Sequence, residues 1–130
     1  MRGFDAKTRY ALLAALDLAE HSADGAPVRI RAIAGRTGIP PKYLVHILLQ
    51  LKRRALVNST RGAKGGYWLM RPAELISAAE VIGAVGSDYK QVAPPRQAAY
   101  DQAIKRLWGE AENRWREYLA RTTLADLLKA

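Results

Sequence analysis

The sequence predicts a mainly α fold with one short two-stranded hairpin near its middle and one long helix towards its end. Three observations predict it. Stretches free of Gly and Pro carry apolar residues at helical spacing. A single glycine-rich run, "STRGAKGGYWL", is flanked by strand-forming residues. Near the end, Ile104, Trp108, Ala111, Trp115 and Tyr118 step by 4, 3, 4, 3, the spacing of a coiled-coil seam.

Each element has a local reason. Residues 6–21, AKTRYALLAALDLAEH, are rich in Ala and Leu and predict a well-buried helix. Residues 22–27 predict a loop, and Val28-Arg29-Ile30 a short extended segment. Residues 31–37 predict a short helix ended by Gly38 as its C′ glycine. Pro40-Pro41 then opens another helix, because the first helical position does not need an N–H. In that helix Leu44, Ile47, Leu48 and Leu51 form one apolar stripe, while Lys42, Val45, His46, Leu49 and Arg53 lie away from it. Leu56–Thr60 and Tyr67–Met70 predict the hairpin strands. Ser77-Ala78-Ala79-Glu80 is a capping box for a helix over about 78–85, ended by Gly86. Residues 86–95 predict a linker and roughly 96–120 the long helix. Thr123-Leu124-Ala125-Asp126 caps a closing helix near 124–129.

The 130 residues fit one compact chain with two modules, 1–86 and 87–130. The net charge is +9, and all of it lies in residues 1–73, which hold 13 Lys and Arg against 4 Asp and Glu. Residues 74–130 hold 8 of each. One basic and one neutral module is the pattern of a nucleic-acid binder with a separate assembly region. There is no apolar run long enough to span a membrane and no apolar core of a secretion signal, so a cytoplasmic location with no membrane partner is expected. The absence of cysteine excludes disulfides, thiol catalysis and cysteine-ligated zinc or iron–sulfur clusters. Two histidines, His21 and His46, and no convincing carboxylate pair leave no catalytic constellation and little for a conventional metal site within one chain to work with. The expectation is a protein that is not an enzyme and carries no cofactor.

The glycine run admits three readings. A phosphate cradle fails on spacing, since Lys64 is not followed by Ser or Thr and the run leads into a strand rather than a helix. A plain solvated turn accounts for the glycines but not for Arg61 and Lys64. A short helix, a tight turn at Thr37-Gly38-Ile39-Pro40 and a second helix with a basic outer face make a helix-turn-helix, and the hairpin after it makes a wing. In that setting the tip is a DNA probe: Arg61 enters the minor groove and Lys64 meets phosphate. Glycines, Gly65 among them, remove side chains that would clash with the groove walls. Double-stranded DNA is the expected partner, with Lys7, Arg9, Lys52, Arg53, Arg54 and Lys64 neutralising phosphates.

The chain resembles the iron–sulfur-cluster-regulator and nitric-oxide-sensor-repressor family of bacterial winged helix-turn-helix regulators, the Rrf-two family. The matching stretches are Lys7–Leu12, Ile33-Ala34 with Gly38-Ile39, Tyr43-Leu44, and above all Leu56–Leu69. Glu80-Val81-Ile82, Leu107-Trp108 and Thr123–Asp126 follow. The resemblance implies a winged helix-turn-helix DNA-binding domain with a long C-terminal dimerisation helix. It implies a homodimer on a roughly palindromic promoter site, most simply a repressor. It also implies base contacts from Lys42, Tyr43, Val45 and His46, and Arg61 in the minor groove.

Two departures matter. Many relatives carry three cysteines in the linker before the long helix; this linker has none, so the chain resembles a cluster-free branch. Relatives often carry Glu-Gln after Tyr-Leu, where this chain has Val45-His46. Valine offers only a methyl contact, and His46 is either a base reader or a solvated surface residue. The aromatics Tyr89, Tyr100, Trp108, Trp115 and Tyr118 either form dimer core or line a pocket for a small-molecule or protein effector. The alternative to a site-specific regulator is a protein-interaction module that kept the winged fold.

Overall fold

The computed structural model describes residues 4–86 and 100–130. Among these residues, six α-helices and one hairpin follow the order α1 (Ala6–His21), α2 (Ile30–Thr37), α3 (Pro41–Arg53), β1 (Val57–Thr60), β2 (Gly66–Leu69), α4 (Ala78–Ala84), α5 (Asp101–Arg121) and α6 (Leu124–Lys129). It is a mainly helical winged helix-turn-helix with a long C-terminal helix.

Helix α1 is the hub. Asp5 caps it by accepting from the Thr8 N–H at 2.8 Å. Its buried face is built from Ala11, Ala14, Ala15, Leu18 and Ala19. Small side chains there let α2, α3, α4 and α6 all pack closely against it. Helix α2 ends at Gly38, whose φ of 78° is the left-handed turn that glycine adopts without strain. Ile39 in the turn is buried, so the two helices are pinned together at their corner. In α3, Leu44, Ile47, Leu48 and Leu51 are buried as the sequence predicts. Each such side chain contributes on the order of 1.5–3 kcal/mol, ample to fix which face of α3 turns outward.

The wing pairs Val57 with Leu69, Asn58 with Trp68, Ser59 with Tyr67 and Thr60 with Gly66, antiparallel. The first strand starts one residue later than expected and ends at Thr60 as expected, while the second lies one residue earlier at both ends. Leu56 and Met70 lie just outside, joined by the Met70 N–H donating to the Leu56 carbonyl at 2.9 Å. The expected extended segment at 28–30 shrinks to Val28, which exchanges two 2.8 Å backbone hydrogen bonds with Tyr67. Ile30 is already helical, because the Arg29 carbonyl accepts from the Ala32 and Ile33 N–H groups. A 3₁₀ turn at Ala73–Leu75 was not expected.

Both capping boxes form, Ser77 with Glu80 and Thr123 with Asp126. The two caps lie side by side: Ala78 N–H donates to the Thr122 carbonyl at 2.7 Å and Leu124 N–H to the Ile76 carbonyl at 3.0 Å. Leu124 is fully buried, so α6 docks against α1 and the 3₁₀ turn. The described part of the long helix begins at Asp101; its expected first residues, 96–99, lie outside the described residues. At about 1.5 Å per residue the 21 residues of α5 extend roughly 30 Å.

Candidate nucleic-acid interface

The outward face of α3 carries Lys42, Val45, His46, Leu49 and Arg53, all exposed. This is the face a helix presents to a major groove. Tyr43, 61% exposed, leans on Tyr10 of α1 with ring centroids 6.3 Å apart. Lys7 and Arg9 project from the start of α1, also exposed. Among the described residues up to Gly86, Arg36 and Arg71 are the Lys and Arg residues held in ion pairs, on Asp17 and Glu80. Lys7, Arg9, Lys42, Arg53, Arg61 and Lys64 make no ion pair among the described residues, which leaves their charge available to phosphate. Lys52 differs from them: its Nζ donates to Ser59 Oγ at 2.9 Å, which braces α3 against β1.

The wing loop runs from Arg61 to Gly65. Arg61 and Lys64 are exposed at its tip. Gly65 is buried, and its N–H donates to the Gly62 carbonyl at 2.9 Å. A Cβ there would meet the Thr60 carbonyl oxygen at 2.4 Å. Gly65 therefore closes the loop that presents the two cations. Gly66 has a different reason, the close passage of Val28: a Cβ would lie 2.6 Å from its carbonyl oxygen.

This crossing brings together residues that sequence spacing does not connect. Arg29 and Arg31, at the start of α2, line an open groove with Thr60, Gly62 and Gly65 of the wing. Neither arginine is among the residues that the sequence pattern marks for DNA contact. Their only local signal is that they flank Ile30 on the exposed side of α2.

The five expected seam residues of α5 divide into two groups. Trp115 sits on Phe4, with ring centroids 5.8 Å apart, and with Tyr118 lines an apolar pocket that also includes Leu12, Ile82 and Leu119. Ile104, Trp108 and Ala111 lie further from the domain and are exposed, as is Leu107 at 71%, which the stepping pattern omitted. Tyr100 is exposed at the start of α5, whereas Tyr89 lies outside the described residues. No helix among the described residues is long and apolar enough to cross a membrane.

Comparison with known proteins places this geometry. The Rrf2 family model, described as an iron-dependent transcriptional regulator, matches residues 4–130. The HTH-type transcriptional regulator IscR of Xenorhabdus nematophila is 37% identical over 127 residues, 95% of this chain and 77% of that protein. The solved structure of T. potens IscR superposes with a TM-score of 0.80 at 30% identity, covering 98% of this chain and 87% of that one. CymR, the global cysteine regulator of B. subtilis, superposes with a TM-score of 0.81 at 29% identity, covering 98% and 96%.

The family description includes iron, but the donor set here does not fit a cysteine-ligated cluster. The chain has no cysteine, and among the described residues no group of three or more His, Asp or Glu could hold a metal ion. The chain belongs to the Rrf2 family of helix-turn-helix transcriptional regulators, which are DNA-binding proteins rather than enzymes, and it does so without the means to build an iron–sulfur cluster.

Proposed function

We propose that the protein is a site-specific transcription regulator that binds a palindromic promoter site as a homodimer and represses by occupying it. The observation that carries this reading is the exposed outer face of α3 followed directly by a glycine-closed wing with Arg61 and Lys64 at its tip. Lys42, Tyr43, Val45 and His46 read bases from the first turns of α3. Arg61 enters the minor groove, where its guanidinium meets the more negative potential of a narrow groove. Lys7, Arg9, Arg53 and Lys64 neutralise phosphates, and Gly65 holds the loop's shape.

Residues 1–86 form the DNA-binding module in this reading and 87–130 the assembly module. The exposed apolar stripe of α5 supports a second copy as its cover, with Ile104, Trp108 and Ala111 at the seam and Trp115 and Tyr118 at its base. An effector would act by changing the spacing of the two recognition helices, since half-site spacing is set by the dimer.

The test is selection of bound fragments from genomic DNA by the wild type and Arg61→Ala in about 0.15 M salt. One enriched palindrome, bound by the variant about ten-fold or more weakly, is expected. Lys64→Ala should instead weaken all sequences alike and lower the salt slope by about one. Salt-sensitive binding equal on every sequence would replace this reading with that of a protein-interaction module.

A further inference from the structure

The face that α3 turns outward is not uniformly polar. Val45 and Leu49 stand one helical turn apart on it, 46% and 42% exposed. Neither joins the core, which α3 reaches through Leu44, Ile47, Leu48 and Leu51. At roughly 100° per residue, Leu49 falls about 20° from Lys42 and about 40° from Arg53 around the helix, and Val45 about 40° from Leu49. An aliphatic pair therefore sits on the outer face with Lys42 before it and Arg53 after it along the helix.

The surroundings of the pair identify its occupant. A protein partner that covered Val45 and Leu49 would have to bury Lys42 and Arg53 as well, which is costly without matched carboxylates. Duplex DNA meets both demands at once. Its phosphates take the flanking cations at the groove walls. Its floor offers one apolar group among the base edges of the major groove, the C5-methyl of thymine.

We propose that Val45 and Leu49 read two thymine C5-methyl groups in each half-site. This rests on the site-specific DNA-binding reading above and adds the chemistry of the site. Residues four apart on a helix are separated by about 6 Å along its axis, and base pairs stack about 3.4 Å apart. The two thymines therefore lie within about two base-pair steps of each other. Neither side chain hydrogen-bonds, so the contact selects thymine by its methyl group and not by donors and acceptors.

The test uses the full chain and an operator selected from a random duplex library amplified with ordinary nucleotides, so that thymine is the sole source of pyrimidine methyls. Each thymine of the half-site is replaced in turn by deoxyuridine, which removes the methyl and keeps the hydrogen-bonding edges. Two neighbouring replacements should each weaken binding about three- to five-fold, the scale of exposing one buried methyl, and the others should have no effect. Leu49→Ala should abolish the uracil penalty at one of the two positions and Val45→Ala at the other. The uracil series on the wild type stands without any variant. An enriched operator that tolerates uracil at every position, or whose penalties persist in both variants, would overturn the methyl reading and leave DNA binding intact. Failure to enrich any site would remove both readings together.

Discussion

Arg36 holds Asp17 in a two-pronged grip, Nε to Oδ1 at 2.8 Å and Nη2 to Oδ2 at 3.0 Å, across the junction of α2 with α1. The Asp17 side chain is only 6% exposed. Its charge is compensated by a guanidinium whose fork matches both oxygens, and Asp17 in turn holds Arg36 above its ordinary pKa. The pair ties α2 to α1 close to the turn that leads into α3. Arg36→Ala should lower the melting temperature and weaken operator binding together. Arg36→Lys should recover less than half of either loss, because an ammonium cannot make the fork. Thermal melts and titrations on one operator would check both.

Two backbone positions carry opposite expectations. Ala55 closes α3 with a φ of 58°, a left-handed conformation that costs a residue with a Cβ about 1–2 kcal/mol. Ala55→Gly should therefore stabilise the protein, by about 1 kcal/mol once the greater freedom of unfolded glycine is deducted. Gly66→Ala should destabilise it by about 2 kcal/mol or more, because the new Cβ would press on the Val28 backbone. Urea denaturation of the two variants gives both signs directly.

The outer half of α5 offers a separate test of assembly. Leu107 and Trp108 are exposed in the single chain at 71% and 47%. Changing both to Glu should leave the melting behaviour of the DNA-binding module near wild type and shift the sedimenting species from dimer to monomer. Operator affinity should fall by at least about 100-fold, since one half-site loses the effective concentration its partner supplied. A wild type that sediments as a monomer at all concentrations would remove the dimer from the proposed function.

Acid should loosen the join between the wing and α4. Glu80 is held below its ordinary value of 4.5, chiefly by its hydrogen bond from Arg71, with the Ser77 N–H and hydroxyl adding to it against a smaller opposing effect of burial. A depressed carboxylate contributes stability that is fully present above pH 4.5 and is lost as the pH falls through its folded value. Asp5, lowered by its hydrogen bonds with Thr8, acts with the same sign. Glu80→Gln should cost about 0.5–1 kcal/mol at pH 7, because the pair is solvent-screened. The gap between wild type and variant should then narrow below pH 4.5. Urea midpoints measured from pH 7 to pH 3 would follow it.

Features whose causes lie within a few residues can be read from the amino-acid order alone. Gly38 ending α2, Pro41 opening α3, the Ser77 and Thr123 capping boxes and the leucine stripe of α3 were all legible, because each bond or packing face joins positions within one or two helical turns. The basic face of α3 and the cationic wing tip followed from the same local patterns. Which distant pieces meet depends on packing in three dimensions. Val28 crosses behind the wing and brings Arg29 and Arg31 beside Gly62 and Gly65. Phe4 meets Trp115 of α5, and α6 returns to lie against α1 through the paired caps at Ser77 and Thr123. These contacts join residues about 30 to 110 positions apart; over such separations chain connectivity imposes no periodicity that could record them, and packing of the folded core alone selects them.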